Sequence, residues 1–309
     1  MDERIELLAA PAENRMRLED FLLDQFRGLS KIYLREIVKT ERCEVNGRWE
    51  NIGYRLRPND FIEIELDPTR ENAMVPQDIP LDIIFEDEHL IVVNKPIGML
   101  VHPSHRDKTG TLLNALTFHF NRDVPGRNAT VKERAEGTLV HTRVSARTFI
   151  RPGLIHRLDK ETSGLIVAAK NARTHRILAT HFEKKLVEKR YLALVDGIVA
   201  DDEGTITGAI GRYVEEKRWG LKEDGRESET RFRVRERSAN KTLLELEPVT
   251  GRTNQLRIHC ETIGHPIVGD TMRGGSNFPR LCLHAHKLAF RHPATRERVE
   301  FASAPAFHL

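Results

Sequence analysis

The chain predicts an α+β fold: a small helix-and-hairpin domain over residues 16–66, a linker over 67–80, and a larger domain over 81–309 on a mixed, mainly antiparallel β-sheet. Three observations carry that expectation. Apolar residues recur twice at helical spacing ahead of a tight-turn signal at Asn46 and Gly47. Residues 203–248 alternate in short apolar runs, as a meander of antiparallel strands does. Two apolar arms, Leu154 with Ile155 and Leu165 with Ile166 and Val167, flank a short polar connector.

In the first domain Leu18, Phe21, Leu22 and Phe26 share one helical face, and Gly28 ends that helix. Ser30 is the expected N-cap of a second helix running through Thr40. On it Lys31, Arg35 and Lys39 follow at four-residue steps as a basic stripe, while Ile32, Ile37 and Val38 are expected to turn inward. Such a stripe either meets nucleic-acid phosphates or is an ordinary solvated helix face. After the Asn46 and Gly47 turn and a second at Pro58, Asn59 and Asp60, Ile62, Ile64 and Leu66 alternate with Phe61, Glu63 and Glu65 as a strand does.

Pro68, Pro76 and Pro80, with few apolar neighbours, mark the linker. Strand-like runs at 82–85 and 90–93 follow, separated by the acidic turn Glu86, Asp87, Glu88. Leu112, Leu113, Leu116 and Phe120 place a core helix over 109–120. Over 121–152 periodicity disappears, and Arg122, Arg127, Lys132, Arg134, Arg143, Arg147 and Arg151 outnumber Asp123, Glu133 and Glu136. A stretch of that length is either a functional insert or disordered. Residues 171–186 read as a helix with His175, Arg176, Lys184 and Lys185 on its polar side, and 189–195 as a strand.

Bulk numbers bound the class. A hydrophobic content of 39% and a charged content of 31% describe an ordinary soluble globular protein. No apolar run is long enough to span a membrane, and the acidic opening MDERIELLAAPAENR lacks a secretory core. Cys43, Cys260 and Cys282 are too few and scattered for a disulfide framework, so a reducing cytoplasm is expected. A net charge of +3 is only mildly basic, so any nucleic-acid contact must come from local patches.

The connector between the two arms holds His156, Arg157, Asp159, Lys160, Glu161, Thr162, Ser163 and Gly164. A loop fixed between two strands presents chemical groups on a rigid scaffold. Asp159 lies in sequence among Arg157, Lys160 and His156, and nearby positive charge would lower its pKa and keep it ionised. From the residues alone it is either a nucleophile or base, or a surface residue in an Asx-type turn.

The whole stretch, GLIHRLDKETSGLIVAAK, resembles the signature loop of the RluA-type pseudouridine synthases, which convert uridine in structured RNA to its C-glycoside isomer. NKPIGMLVHP, KRYLALV, GRTNQLRIHC, GHPIVGD and RLCLHAHKLAF resemble further blocks of that family. Residues 16–66 are similar to the alpha-L RNA-binding motif, the small domain of ribosomal protein S-four. Glu41 stands where that motif usually has glycine, and Asn254 where the synthase block usually has histidine.

The resemblance implies a catalytic domain over 81–309 in which Asp159 is the catalytic aspartate, Tyr191 stacks on the target base, and Arg257 pairs with Asp159. It implies that Arg157 contacts RNA near the displaced base, that Leu283 packs near that base, and that Lys31, Arg35 and Lys39 meet RNA phosphates. Lys95 takes a supporting role. The implied partner is RNA, ribosomal or transfer, with no membrane and no obligatory protein partner. The isomerisation gains and loses no atoms, so no cofactor is expected, in keeping with a sequence that lacks a Gly-rich phosphate loop. Cys282, His284 and His286, with His259 and Cys260, form a competing zinc-ligand set. They lack paired finger spacing, and the resemblance implies no metal.

Overall fold

The computed structural model describes residues 2–26, 29–67, 75–104, 107–122, 150–216 and 218–309. Gly28 as a helix stop, Pro68 in the linker and the charged stretch 123–149 lie outside the described residues. The chain divides into two compact units, one built on Met1–Ile79 and the other on Pro80–Arg106 and Pro152–Leu309.

The first unit joins α1 (Leu18–Gln25) and α2 (Lys31–Lys39) to an antiparallel sheet. Its strands are β1 (Glu3–Leu8), β2 (Cys43–Val45), β3 (Arg48–Trp49) and β4 (Phe61–Leu66), in the order β1-β4-β2-β3. Leu18, Phe21, Leu22, Leu34, Ile37, Ile62 and Ile64 share one buried cluster. Ser30 Oγ accepts from the Tyr33 amide at 3.1 Å and so caps α2. The helix closes in a Schellman motif: Glu41 N donates to Val38 O and Arg42 N to Ile37 O. Glu41 is left-handed there, at φ 59°, which explains why glycine suits the position. Asn46 and Gly47, at φ 53° and 72°, form the two-residue hairpin turn between β2 and β3.

Three features differ from the sequence reading. Ile32 does not turn inward but is 80% exposed, because a 3.6-residue period sets it beside Arg35 and Glu36. Tyr33, Leu34, Ile37 and Val38 take the buried face. Within the basic stripe, Lys31 and Arg35 both pair with Glu19, itself nearly buried, which neutralises part of the stripe locally. Strand β1 was not foreseen, since ERIELL buries none of its side chains fully and its alternation is weak.

The second unit is built on an 11-stranded sheet. Its strands are β5 (Ile83–Glu86), β6 (Leu90–Lys95), β7 (Gly153–Leu154), β8 (Ser163–Ala169), β9 (Glu188–Asp196), β10 (Glu203–Tyr213), β11 (Arg218–Leu221), β12 (Arg226–Arg237), β13 (Lys241–Pro248), β14 (Leu283–Arg291) and β15 (Arg298–Ala302). The order is β11-β10-β12-β13-β9-β14-β8-β6-β5, with β15 beside β14 and β7 beside β8. Every pairing is antiparallel except β14 with β8, which run parallel through His284 opposite Ser163 and Ala285 opposite Gly164. The expected meander over 203–248 is β10 to β13. Helices α4 (Ala172–Glu183) and α5 (Gln255–Thr262) belong to this unit, and α3 (Leu112–Asn121) buries Leu112, Leu116 and Phe120. No helix among the described residues is long and apolar enough to cross a membrane.

All seven residues of β8 are buried. Leu165, Ile166 and Val167 there contribute about 1.5–3 kcal/mol each, which fixes one end of the signature loop rigidly. Gly164 explains itself by geometry. Its φ is 116°, and a Cβ would stand 2.4 Å from the carbonyl oxygen of Ala285. Only glycine lets β14 approach the loop this closely.

Candidate active site

The signature loop leaves β7 at Leu154 and enters β8 at Ser163. His156 sits inside it with Nε2 accepting from the Val167 amide at 3.0 Å and its ring stacked on Phe182. Burial and the charge of Lys189 drive its pKa down to about 3, so the imidazole is neutral and holds backbone. Thr162 N donates to Asp159 O at 3.1 Å, which closes the turn that carries Asp159. Ser163 Oγ bonds His284 Nδ1 at 2.9 Å and accepts from Arg280 Nη2 at 2.6 Å. The turn is thereby tied across to β14.

Lys95 supports the same loop from below. It is 1% exposed, and its ammonium donates to the carbonyls of Pro96 at 2.8 Å, Met99 at 2.9 Å and Lys160 at 3.2 Å. All three of its protons are thus committed to backbone. Burial lowers its pKa to about 8 against the pull of Glu161 and Asp159. Gly98 N adds a further bond to Lys160 O at 2.9 Å, locking the NKPIGML turn to the signature loop.

The opposite wall comes from α5. Gln255 uses its whole amide: Oε1 accepts from Thr250 Oγ1 and Arg252 N, while Nε2 donates to Glu229 O and Thr230 Oγ1. His259, one turn on, bridges Ser228 and Thr230 on β12. Burial lowers its pKa to about 4, so it too is neutral packing. Gln255 and His259 face β12, and Arg257 between them projects the other way. Asn254 before the helix is left-handed at φ 55°, a conformation asparagine tolerates.

These walls enclose a cleft of about 700 Å³ lined by Arg157, Asp159, Tyr191, Arg257 and Leu283 among others. Five expected site residues therefore come together. Lys31, Arg35 and Lys39 are on α2 of the first unit. Burial is the largest influence on Asp159 and pushes its carboxyl above the usual range, outweighing Arg257, Arg157, Lys95 and Arg273. The expected lowering by its sequence neighbours does not occur, because His156 is neutral and desolvation dominates. Tyr191 is raised by burial and then by the Asp159 charge, which places phenol and carboxylate within one another's field. Arg257 forms its direct pair with Asp270, Nε to Oδ2 at 2.6 Å and Nη2 to Oδ1 at 2.7 Å, and acts on Asp159 only through its charge. The Asp159 carboxylate accepts no hydrogen bond from any described residue.

The cysteines and histidines weighed as zinc ligands have other occupations. Cys260 and Cys282 are buried free thiols, pushed up by burial to about 12 and about 11. His284 and His286 share the Ser303 carbonyl.

A family model described as RNA pseudouridylate synthase matches residues 89–262, more than half of the chain. The chain belongs to the RNA pseudouridylate synthase family. Its reaction is the isomerisation of uridine in RNA to pseudouridine. The chain is 34% identical over 302 residues to the "Uncharacterized RNA pseudouridine synthase YlyB" of Bacillus subtilis (strain 168), covering 96% of this chain and 93% of that one. It is 33% identical over 310 residues to the "Ribosomal large subunit pseudouridine synthase D" of Pseudomonas aeruginosa, covering 93% and 88%. The solved structure "Human RNA Pseudouridylate Synthase Domain Containing 1" is 28% identical, with a TM-score of 0.56 over 74% of this chain and 85% of its own.

Sequence reasoning about this synthase missed two groups. Asp270 stands in GHPIVGD, a block read only as a resemblance, and its acidic side chain was the available signal. Lys189 lines the cleft with its pKa lowered by burial and by Lys185, a desolvation that strand alternation does not reveal.

Proposed function

We propose that this synthase acts on ribosomal RNA of the large subunit, with Asp159 as the carboxylate that works on the target sugar. The observation that carries the role of Asp159 is its placement: half-buried in the cleft, charged groups around it, and no hydrogen bond from a described residue to its carboxylate oxygens. The large-subunit substrate is favoured by relatives named for it in Zymomonas mobilis, Pseudomonas aeruginosa and Xylella fastidiosa.

The reaction breaks the N1–C1′ bond, turns the uracil, and joins its C5 to C1′; the C5 hydrogen leaves as a proton and the freed N1 takes one up. The base must first leave its stack, at a cost of a few kcal/mol. Arg157, exposed at the cleft mouth, fills the space it vacates. Tyr191 offers a ring face to the extruded uracil and Leu283 an apolar neighbour. Asp159 then acts on the sugar, by attack at C1′ or by removal of the 2′ proton, and both routes need it ionised. Arg257 supplies the strongest of the positive charges that act on it. Residues 16–66 act as a separate RNA-binding domain, joined by the 67–80 linker to catalytic residues 81–309, with Lys31, Arg35 and Lys39 on phosphates. The working compartment is the cytoplasm.

RNA tritiated at C5 of uridine tests the chemistry. The wild type releases label into water, and Asp159→Asn, which keeps shape and loses charge, releases none while still binding RNA. Label release by Asp159→Asn at the wild-type rate sinks the assignment. Mapping pseudouridine in cells lacking the protein tests the substrate: lost sites in large-subunit RNA support it, and losses confined to transfer RNA overturn it.

A further inference from the structure

Two lysines on one wall of the cleft stand together without a bonded counter-charge. Lys189 comes two residues before Tyr191 on β9, so strand alternation turns both side chains to the same face, and both line the cleft. Lys185, in the turn after α4, lines it too, and its charge acts on Lys189. The carboxylate that acts on Lys189 is Glu247, and Arg190 Nη1 already holds it at 2.7 Å. Elsewhere in the cleft Arg231 is paired with Glu229, and Arg252 donates to Glu227 O. Neither lysine ammonium has a hydrogen bond or an ion pair among the described residues, and Glu183 on the same wall is bonded to neither.

Backbone strain holds the arrangement. Helix α4 ends in a Schellman motif, in which Lys185 N donates to Phe182 O at 3.2 Å and Leu186 N to His181 O at 2.8 Å. Lys185 is the left-handed residue of that cap, at φ 57°, a place where glycine is the ordinary choice. Lysine carries conformational strain there, and strain that a fold retains clusters at ligand sites. Lys189 is desolvated as well: burial is the largest influence on it, ahead of Lys185, and lowers its pKa. A desolvated ammonium beside a second one, with no acid bonded to either, is an unfavourable arrangement that an arriving anion relieves.

We propose that Lys185 and Lys189 form a phosphate site that takes one phosphodiester of the RNA strand beside the target uridine. The cleft sets the ligand class. The substrate of the family is RNA, whose backbone is charged at every nucleotide and enters the cleft with the base that Tyr191 receives. An ammonium is a compact point charge suited to a phosphate oxygen, and the phosphate supplies the counter-charge that the protein withholds. Contacts of this kind carry no sequence information and set register instead. Holding the backbone next to the extruded base fixes the sugar against Asp159. The inference rests on the reading of Asp159 and Tyr191 as the place of the target nucleotide.

Lys189→Met in the full-length enzyme tests this, with an RNA oligonucleotide built around a uridine that the wild type converts. Each phosphate near that uridine is replaced in turn by a neutral methylphosphonate. The preceding ribose carries 2′-O-methyl for stability, and a 2′-O-methyl phosphodiester oligonucleotide is the control. Replacement at one position weakens wild-type binding about tenfold. Lys189→Met binds the control about as weakly, and replacement at that position costs it nothing further. Its salt slope is shallower by about 0.7, the share of one phosphate in a single strand. Lys189→Arg, which keeps the charge, recovers affinity towards wild type. Lys189→Met also melts at or above the wild-type temperature, because folding disfavours the ionised lysine. Lys185→Met, at an exposed position, serves if Lys189→Met does not fold, and loses sensitivity at the same phosphate. A merely structural Lys189 would lower the melting temperature and leave affinity for every oligonucleotide unchanged, and that result overturns the proposal. So does a fall in kcat with no loss of affinity. Asp159→Asn assayed for label release separates the two failures. Release there removes the reading of the cleft; no release there, with Lys189→Met equal to wild type on every oligonucleotide, removes only the phosphate site.

Discussion

Replacing Lys95 by methionine keeps most of the stem volume and deletes the ammonium. Three carbonyls, of Pro96, Met99 and Lys160, lose their donor. Bonds from a charged donor contribute about 1.5–3 kcal/mol each, so the gross loss is roughly 5–9 kcal/mol. Against that stands the desolvation of the ammonium. A fall from 10.5 to about 8 corresponds to roughly 3 kcal/mol at about 1.4 kcal/mol per pKa unit. Partial rehydration of the freed carbonyls recovers more, and the net cost at neutral pH comes to about 2–4 kcal/mol. The pH dependence is more diagnostic. The folded pKa lies below the unfolded one, so between about 8 and 10.5 the unfolded chain binds more protons at this site, and stability rises with pH. Urea unfolding of the second unit from pH 7 to 10.5 should show the wild type gaining on Lys95→Met by about 3 kcal/mol. A difference that is flat across that range, or a variant as stable as wild type at pH 7, would refute the reasoning. Turnover of Lys95→Met should also fall, because the turn holding Asp159 rests on Lys160 O.

Three further outcomes follow from the geometry of the site and its seam. Asp159 is pushed above 3.8 chiefly by burial, so kcat should fall with decreasing pH through a limb above the ordinary aspartate range. For the same reason its ionised form is disfavoured by folding, and Asp159→Asn should melt at or above the wild-type temperature at pH 7; a clear drop by differential scanning calorimetry would contradict this. Gly164→Ala drives a Cβ into Ala285 backbone at 2.4 Å and should cost more than about 4 kcal/mol, read as insolubility or a large fall in melting temperature. A variant within a few degrees of wild type would show that β14 can retreat.

Local chemistry made much of this molecule legible. Ser30, and Asn46 with Gly47, act at positions where local residue chemistry sets the neighbouring backbone. HRLD and the GRTNQLRIHC block identified the residues that meet in the cleft, because motif order survives where contact geometry is invisible. Quantities set by the third dimension were not legible. Whether charge or burial governs Asp159 depends on side chains 64 to 114 residues away, from Lys95 to Arg273, and burial prevails. The partner of Arg257 was misjudged for the same reason. Asp270, Asp159 and Glu161 all act on its charge, and only the folded chain decides that Asp270 receives the bidentate bond. Ile32 looked like core by composition, whereas its angle on the helix sets it in water.

The parallel seam between β8 and β14 has a consequence in time. Ser163 and His284 are 121 positions apart, yet the turn carrying Asp159 leans on that contact. At about 5–20 residues per second, a ribosome needs on the order of 6–24 s to make the intervening chain. During that interval the nascent polypeptide adds Tyr191 and then Arg257 to the Asp159 it already holds, while the strand that braces them does not yet exist. The catalyst is born unassembled and matures only when a late segment threads in beside an early one. A chain cut before β14 should therefore carry Asp159, Tyr191 and Arg257 and turn over no RNA.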